Sequence, residues 1–484
     1  MKNGHIIKIN AFGGIFTPIK LKQTAEIAFR AGVKHFNFGP RQEIFFNVSK
    51  RYMDVFKSEM NSKQLEFEKD SDEYPNLVSS YLAEGIFSNE KWMSAGIYKD
   101  IFDQFDYNPR LKLNICDPFQ TIVPFFTGEL NFISSPTYQY WYLYLNLKGE
   151  KIIRWNQLVY SMDIPKISKK IEELYLDGHI SDVADLLAAV NASTQLLSKE
   201  IEKELELPRY VFPYYEGMNP YGSKFWLGVF RRDYLFPLAF LHDLCSLCID
   251  TNVGQLCITP WRTLIVKGIE QNERIRWEQL LGKHGINLRH SATELNWVVE
   301  DVNSGELELK KHIITQLEEK DIRTFGMVFG IKLPSTHYIP ASVIIEEKPI
   351  VNKNELKLLG SYNIWYTENF NPNSFNKTLF AKNVKLNDLS SKLLYLCQLY
   401  YKNLNEIKPT TIKEAIAPKT EKKKILLHQC KHCFSIYDER YGDEVNGINP
   451  GILFKELPTN YLCPLCEAPK SDFVEIREEE LSPH

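Results

Sequence analysis

Four cysteines towards the end of the chain have the type and spacing to do chemistry. The sequence reads C-K-H-C at residues 430–433 and C-P-L-C at residues 463–466, so Cys430, Cys433, Cys463 and Cys466 form two Cys-x-x-Cys knuckles. Facing each other, the knuckles supply four thiolates, enough to close a tetrahedral site around one metal ion. Four soft sulfur donors suit iron or zinc and reject hard cations such as magnesium. Zinc ribbons usually leave roughly 15–20 residues between knuckles. Here the intervening segment, which includes G-I-N-P-G-I-L-F-K-E-L-P at residues 447–458, is longer.

That insert, Pro464 inside the second knuckle and the surrounding aromatics make the module resemble rubredoxin. Tyr437, Asp438, Asn449, Pro450, Gly451, Phe454, Pro458, Lys470 and Phe473 stand where rubredoxins place the same residues, and Tyr461 replaces the usual tryptophan. The glycine that normally follows each knuckle is Phe434 after the first and Glu467 after the second. Glycine there permits a tight left-handed turn that aims backbone N–H groups at the sulfurs. A side chain at both positions is expected to loosen those bonds and move the reduction potential. The resemblance implies one iron per chain, cycling between ferrous and ferric forms, with zinc as the alternative occupant of the same ligands.

The elements that must carry this module set the wider frame. At 484 residues the chain has room for two to four domains, and 44% hydrophobic with 25% charged residues is ordinary globular composition. The net charge of −3 hides an asymmetry: residues 425–484 carry 5 Lys+Arg against 11 Asp+Glu, a net of −6, and the remainder carries +3. An acidic electron carrier is steered towards a basic rim on a redox partner. The other cysteines, Cys116, Cys245, Cys248, Cys257 and Cys397, are too scattered for a disulfide framework. Cys245 and Cys248 fall in an apolar helical run and read as small buried hydrophobes. The first residues do not resemble a secretion signal, and nothing approaches the run of about eighteen apolar residues that would span a bilayer. Together with metal-bound thiolates this predicts a cytoplasmic protein. The basic run at residues 422–424 is short and lies in a linker, so nucleic-acid binding is not expected.

Along the chain, a strand-like G-G-I-F-T-P-I leads into an amphipathic helix that ends near Gly32. Two alternating strands follow around Gly39 and Pro40, and further strands begin near Leu111 and Tyr140. The pattern returns. Sliding the sequence along itself until Val33 falls on Val253 also places Phe36 on Leu256, Phe38 on Ile258, Pro40 on Pro260 and Ile44 on Leu264. Strand-like segments near Gly326 and Ser361 mirror the pair at Leu111 and Tyr140. The expected architecture is α+β: two mixed α/β halves related by a pseudo-two-fold, plus the small Fe(Cys)4 module. The expected domains are residues 1–155, a helical connector at 156–215 (helix over 164–207), a second half at 216–405, a flexible linker at 406–424 and the metal module at 425–484.

The duplicated unit resembles the sulfite and nitrite reductase hemoproteins, which hold siroheme beside a four-iron cluster between two such halves. G-P-R-Q-E-I-F-F matches the first-half motif at Arg41 and Gln42, and I-T-P-W-R-T-L-I-V matches the second-half version, ending near Arg262. By this resemblance Arg41 and Arg262 would face siroheme or an anionic substrate, for which a guanidinium fork is well shaped. The other reading of Arg41 is an arginine that caps a strand end. Active members place two cysteine pairs after the second arginine strand, whereas this chain has no cysteine between Cys257 and Cys397. No four-iron cluster is therefore expected. His290 and His337 are the conceivable replacement axial ligands.

Three functions follow. The first is a one-electron carrier tethered to a non-catalytic, reductase-like docking body. Its partner would be a nitrite, nitrate or sulfite reductase or the electron donor of one. The second is a reductase that keeps siroheme or another tetrapyrrole and is fed by its own module. The third is a zinc-stabilised scaffold.

Overall fold

In the computed structural model of the chain the described residues are 4–87, 92–147, 152–176, 183–208, 210, 215–288, 290–299, 305–332, 339–348, 361–405, 410–411, 426–439, 442–443, 445–449 and 451–477. They fall into two compact units, Met1–Ala415 and Ile416–His484.

The larger unit is built on the internal repeat. Helix Pro18–Arg30 starts where the Thr17 side chain accepts the Lys20 N–H (3.3 Å) and Pro18 occupies the first turn, where its missing N–H costs nothing. It buries Leu21, Ala25 and Ala28. Helix Leu238–Asp250 occupies the same place in the second copy, buries Leu241, Cys245 and Cys248, and packs against the first helix. Each helix leads into a β-hairpin, His35–Phe38 with Ile44–Ser49 in the first half and Leu256–Ile258 with Leu264–Ile269 in the second. Both hairpin turns carry a non-glycine residue in the left-handed region at the same repeat position, Gln42 (φ 62°) and Arg262 (φ 58°).

The halves exchange the short strands that precede these two helices. Ile15–Phe16 pairs with Leu256–Ile258 of the second half, and Leu235–Pro237 pairs with His35–Phe38 of the first. Neither five-stranded sheet is therefore complete without the other half.

Two further sheets share one pattern. In the first, Val78–Ser79, Leu113–Cys116 and Leu130–Ser134 run parallel, and Tyr140–Leu145 and Gln157–Tyr160 continue antiparallel. In the second, Trp297–Val299, Phe329–Lys332 and Val343–Glu347 are parallel, followed antiparallel by Ser361–Thr367 and Lys377–Lys385. One apolar core runs from the first of these sheets to Trp261, Val328, Ala341 and Ile344 of the second half. The duplicated α/β fold is thus present.

One segment differs from expectation. Residues 164–207 are not one helical connector but helices Ile164–Leu176 and Val183–Ser193, then strands Ser198–Glu200 and Glu206–Leu207. Ser198–Glu200 extends the sheet by pairing with Gln157–Tyr160. Within the expected linker, Thr410–Thr411 pairs with Glu206–Leu207; the other linker residues lie outside the described ones.

The smaller unit is a three-stranded antiparallel sheet, Leu426–Cys430 between Ile436–Tyr437 and Phe473–Arg477. Its core is aromatic. Phe454 lies 5.3 Å from Phe473 and 5.6 Å from Tyr437, and Tyr461 lies 5.9 Å from Phe473. The Tyr461 hydroxyl donates to Asp443 (2.7 Å), whose carboxylate also accepts the Val445 and Asn446 N–H groups.

Candidate metal centre

The sheet and the aromatic core bring the two knuckles face to face. Each knuckle closes in the same way. Cys430 donates its N–H to Ser435 O (2.9 Å), and Phe434 donates back to Cys430 O (3.0 Å). In the other, Cys463 donates to Ala468 O (2.8 Å), and Glu467 donates to Cys463 O (2.9 Å). The closing residues Phe434 (φ 62°) and Glu467 (φ 57°) adopt the left-handed turn that glycine normally fills. The side chains have not undone the turn, and the strain stays in the backbone.

The four Sγ atoms converge within 4.8 Å of one another. Cys430 and Cys466 sulfurs are 3.6 Å apart, and those of Cys433 and Cys463 are 3.4 Å apart. Bonds of about 2.3 Å from a tetrahedral centre give edges of about 3.8 Å, so the cage has the size for one thiolate-bound ion. Backbone N–H groups face the sulfurs as well: Ser435 towards Cys433, Leu465 and Cys466 towards Cys463, and Ala468 towards Cys466. Ser435 adds a hydroxyl, 2.9 Å from Cys463 Sγ and 3.3 Å from Cys433 Sγ. Cys430 and Cys463 are buried, Cys433 is half-buried, and Cys466 is exposed. Beside the exposed edge stand Phe434 and Leu465, 68% and 75% exposed, so an approaching molecule meets an apolar rim.

The family model for rubredoxin matches residues 427–473. A Bradyrhizobium diazoefficiens protein named "Probable rubredoxin HupI" is 46% identical over 48 residues, which cover 10% of this chain and 70% of that protein. Through this module the chain belongs to the rubredoxin family. Rubredoxin-1 of Pseudomonas putida is 46% identical over 50 residues, 10% of this chain, and the chain spans only 29% of its length. Over the body, the structure of the Mycobacterium tuberculosis NirA protein superposes with a TM-score of 0.63 at 12% identity, covering 82% of this chain and 81% of that one. The rubredoxin module is thus joined to a body that shares the fold of the NirA protein.

In the body the two arginines singled out from the sequence do different jobs. Arg41 donates through Nε and Nη2 to Asn76 O (3.2 and 2.7 Å), through Nη2 to Leu113 O (2.9 Å) and through Nη1 to Asn114 Oδ1 (3.2 Å). It ties the first hairpin turn to the start of two strands. Arg262 aligns in the repeat with Gln42, not with Arg41. It is 8% exposed, donates Nη2 to Val299 O (3.0 Å) and lies 5.2 Å above the Tyr234 ring. Lys310, fully buried, donates to the hydroxyl of that same Tyr234 (2.7 Å). Gln42 bridges the halves by donating to Ser79 O (3.1 Å) and Ile258 O (2.9 Å).

Glu43 lies beside Arg41, and burial lifts its carboxyl from 4.5 to about 7 although Arg41 and Arg262 both favour the anion. Cys245 and Cys248 are buried side by side on one helix, and burial pushes the Cys245 thiol up to about 12, as expected of inert packing thiols. His290 sits half-buried ahead of the short helix Ser291–Glu294; His337 lies outside the described residues. Sequence reasoning missed Ser435 and named Gln42 only as part of the first-half motif, without a role. Gln42 carried a signal in its repeat position opposite Arg262, whereas Ser435 carried none beyond lying two residues past a ligand.

Proposed function

We propose that the chain is a one-electron carrier, with iron bound by Cys430, Cys433, Cys463 and Cys466 and the body serving as a docking platform. The observation that carries this reading is the convergence of four sulfurs, at tetrahedral spacing, inside a rubredoxin module. Iron in such a cage changes charge by one unit with little rearrangement of its ligands. Cys466 brings one sulfur to the surface beside the exposed apolar side chains of Phe434 and Leu465, and the aromatic core backs the other side of the cage. The module's net charge of −6 favours a partner with a basic rim. By analogy of fold alone, that partner is a nitrite, nitrate or sulfite reductase or its electron donor. Tethering would raise the local concentration of the carrier at its acceptor. A reducing compartment such as the cytoplasm suits the free thiols.

In this reading Arg41 and Arg262 act as struts of the body rather than as ligands of a substrate. The test is the visible spectrum and metal content of full-length protein from a siroheme-competent host. Ferric-thiolate absorption with one iron per chain is the expected result. Stoichiometric zinc in colourless protein would end the reading, and a Soret-type band would turn the body into an enzyme.

A further inference from the structure

We propose that Ser435 is a positioning residue that raises the reduction potential of the metal centre by donating its hydroxyl hydrogen to the Cys463 thiolate. This rests on the carrier reading above and deepens it. The two knuckles have matching backbone bonds, and the position in the second knuckle equivalent to Ser435 is Ala468, a buried methyl. One knuckle therefore carries an O–H that the other lacks. Among the described residues, the hydroxyl's hydrogen-bond partners are two sulfurs, Cys463 at 2.9 Å and Cys433 at 3.3 Å. Once both cysteines are thiolates they accept only, so the serine must be the donor.

The sign follows from charge. One electron entering the cage takes its net charge from −1 to −2, and no bond forms or breaks. A hydrogen bond to charged sulfur is worth more in the more negative state, so it favours reduction. It also acts from a bond that bridges the knuckles, since Ser435 belongs to the first and Cys463 to the second.

The experiment compares full-length, iron-loaded protein with its Ser435→Ala, Ser435→Thr and Ala468→Ser variants. An electrode supplies the electron, and both the midpoint potential and the ferric thiolate charge-transfer band are read. Ser435→Ala should shift the reduction equilibrium about tenfold towards the ferric form, about 59 mV for one electron, and move the band to lower energy. Ser435→Thr should stay near the unmodified protein, and Ala468→Ser should move the potential upward. Coincident potentials and bands for the unmodified protein and Ser435→Ala, at equal iron content, overturn the assignment. If Ser435→Ala fails to hold iron, Ala468→Ser decides: an unchanged or lower potential refutes the argument. A chain that takes iron without cycling reversibly fails the carrier reading, and the ferric bands still judge Ser435. If iron is refused altogether, the carrier reading fails and the cobalt(II)-loaded forms compare the same thiolate band.

Discussion

Replacing Phe434 with glycine should make the metal module more stable, although it removes an aromatic side chain. Phe434 has φ 62° and is 68% exposed. A left-handed conformation costs an L-residue roughly 1–2 kcal/mol. Glycine removes that cost but gives the unfolded chain more freedom, returning about 0.4–1 kcal/mol. Little apolar burial is lost, because most of the ring already faces water. The net gain is about 0.5–1 kcal/mol, or roughly a two- to fivefold change in an equilibrium or rate constant. The assay is the loss of ferric-thiolate absorbance from full-length protein with a strong chelator in mild guanidinium, where release requires the module to open. Phe434→Gly should release iron two- to fivefold more slowly. Phe434→Ala is the control: it deletes the ring and keeps the strained φ, so it should show no such gain. Equal gains for Ala and Gly, or faster release from Phe434→Gly, would refute the strain argument.

Other outcomes concern the body. Arg41→Met should destabilise it by about 3 kcal/mol, because Asn76 O and Leu113 O lose their donors at roughly 1–3 kcal/mol each; thermal unfolding followed by far-UV circular dichroism checks this, and iron content should not change. Glu43→Gln should alter the pH dependence of that melt: the raised carboxyl stays protonated in the folded state while the unfolded chain ionises, so the unmodified body loses stability as pH rises from 4.5 to about 7. The variant lacks that loss, and its advantage should grow across the window to roughly 3 kcal/mol. Residues 1–215 expressed alone should fail to fold, since they lack the Leu235–Pro237 strand and the helix that covers Pro18–Arg30, and co-expression with residues 216–415 should restore soluble, helical protein.

The parts legible in the sequence are those where one residue type has one use. Two Cys-x-x-Cys pairs leave little choice of geometry, and the aromatics around them specify the module. The repeat was legible in register because alternation at Phe36 and Phe38 returns at Leu256 and Ile258, and the structure keeps that offset down to Gln42 and Arg262. The exchange between halves was not legible, although Ile15–Phe16 lies in a stretch that reads as strand-like. Ile15–Phe16 and Leu235–Pro237 are too short to show a period, and their partners lie in the opposite half of the chain. The connector was read as helix too far because Ser198–Glu200 is an exposed edge strand with no buried face to alternate. Arg41 illustrates ambiguity of another kind: a guanidinium serves an anion or main-chain carbonyls equally well, and its bonds to Asn76 O and Leu113 O reach residues far off in the sequence.

The two units also tolerate strain for different reasons. In the module, thiolate–metal binding of about 10 kcal/mol or more anchors the knuckles, and it outweighs roughly 1–2 kcal/mol of left-handed strain at each of Phe434 and Glu467. The same left-handed backbone recurs in the body at Gln42 and Arg262. There the compensation is a shared interior: Gln42 bonds Ser79 O and Ile258 O, one in each half, and Arg262 bonds Val299 O beneath Tyr234. Damage should therefore spread differently. A change at a knuckle turn is felt as metal affinity and potential, local to the cage. A change at Gln42 loosens the contact between halves that already depend on each other's strands, and so is felt by the body as a whole.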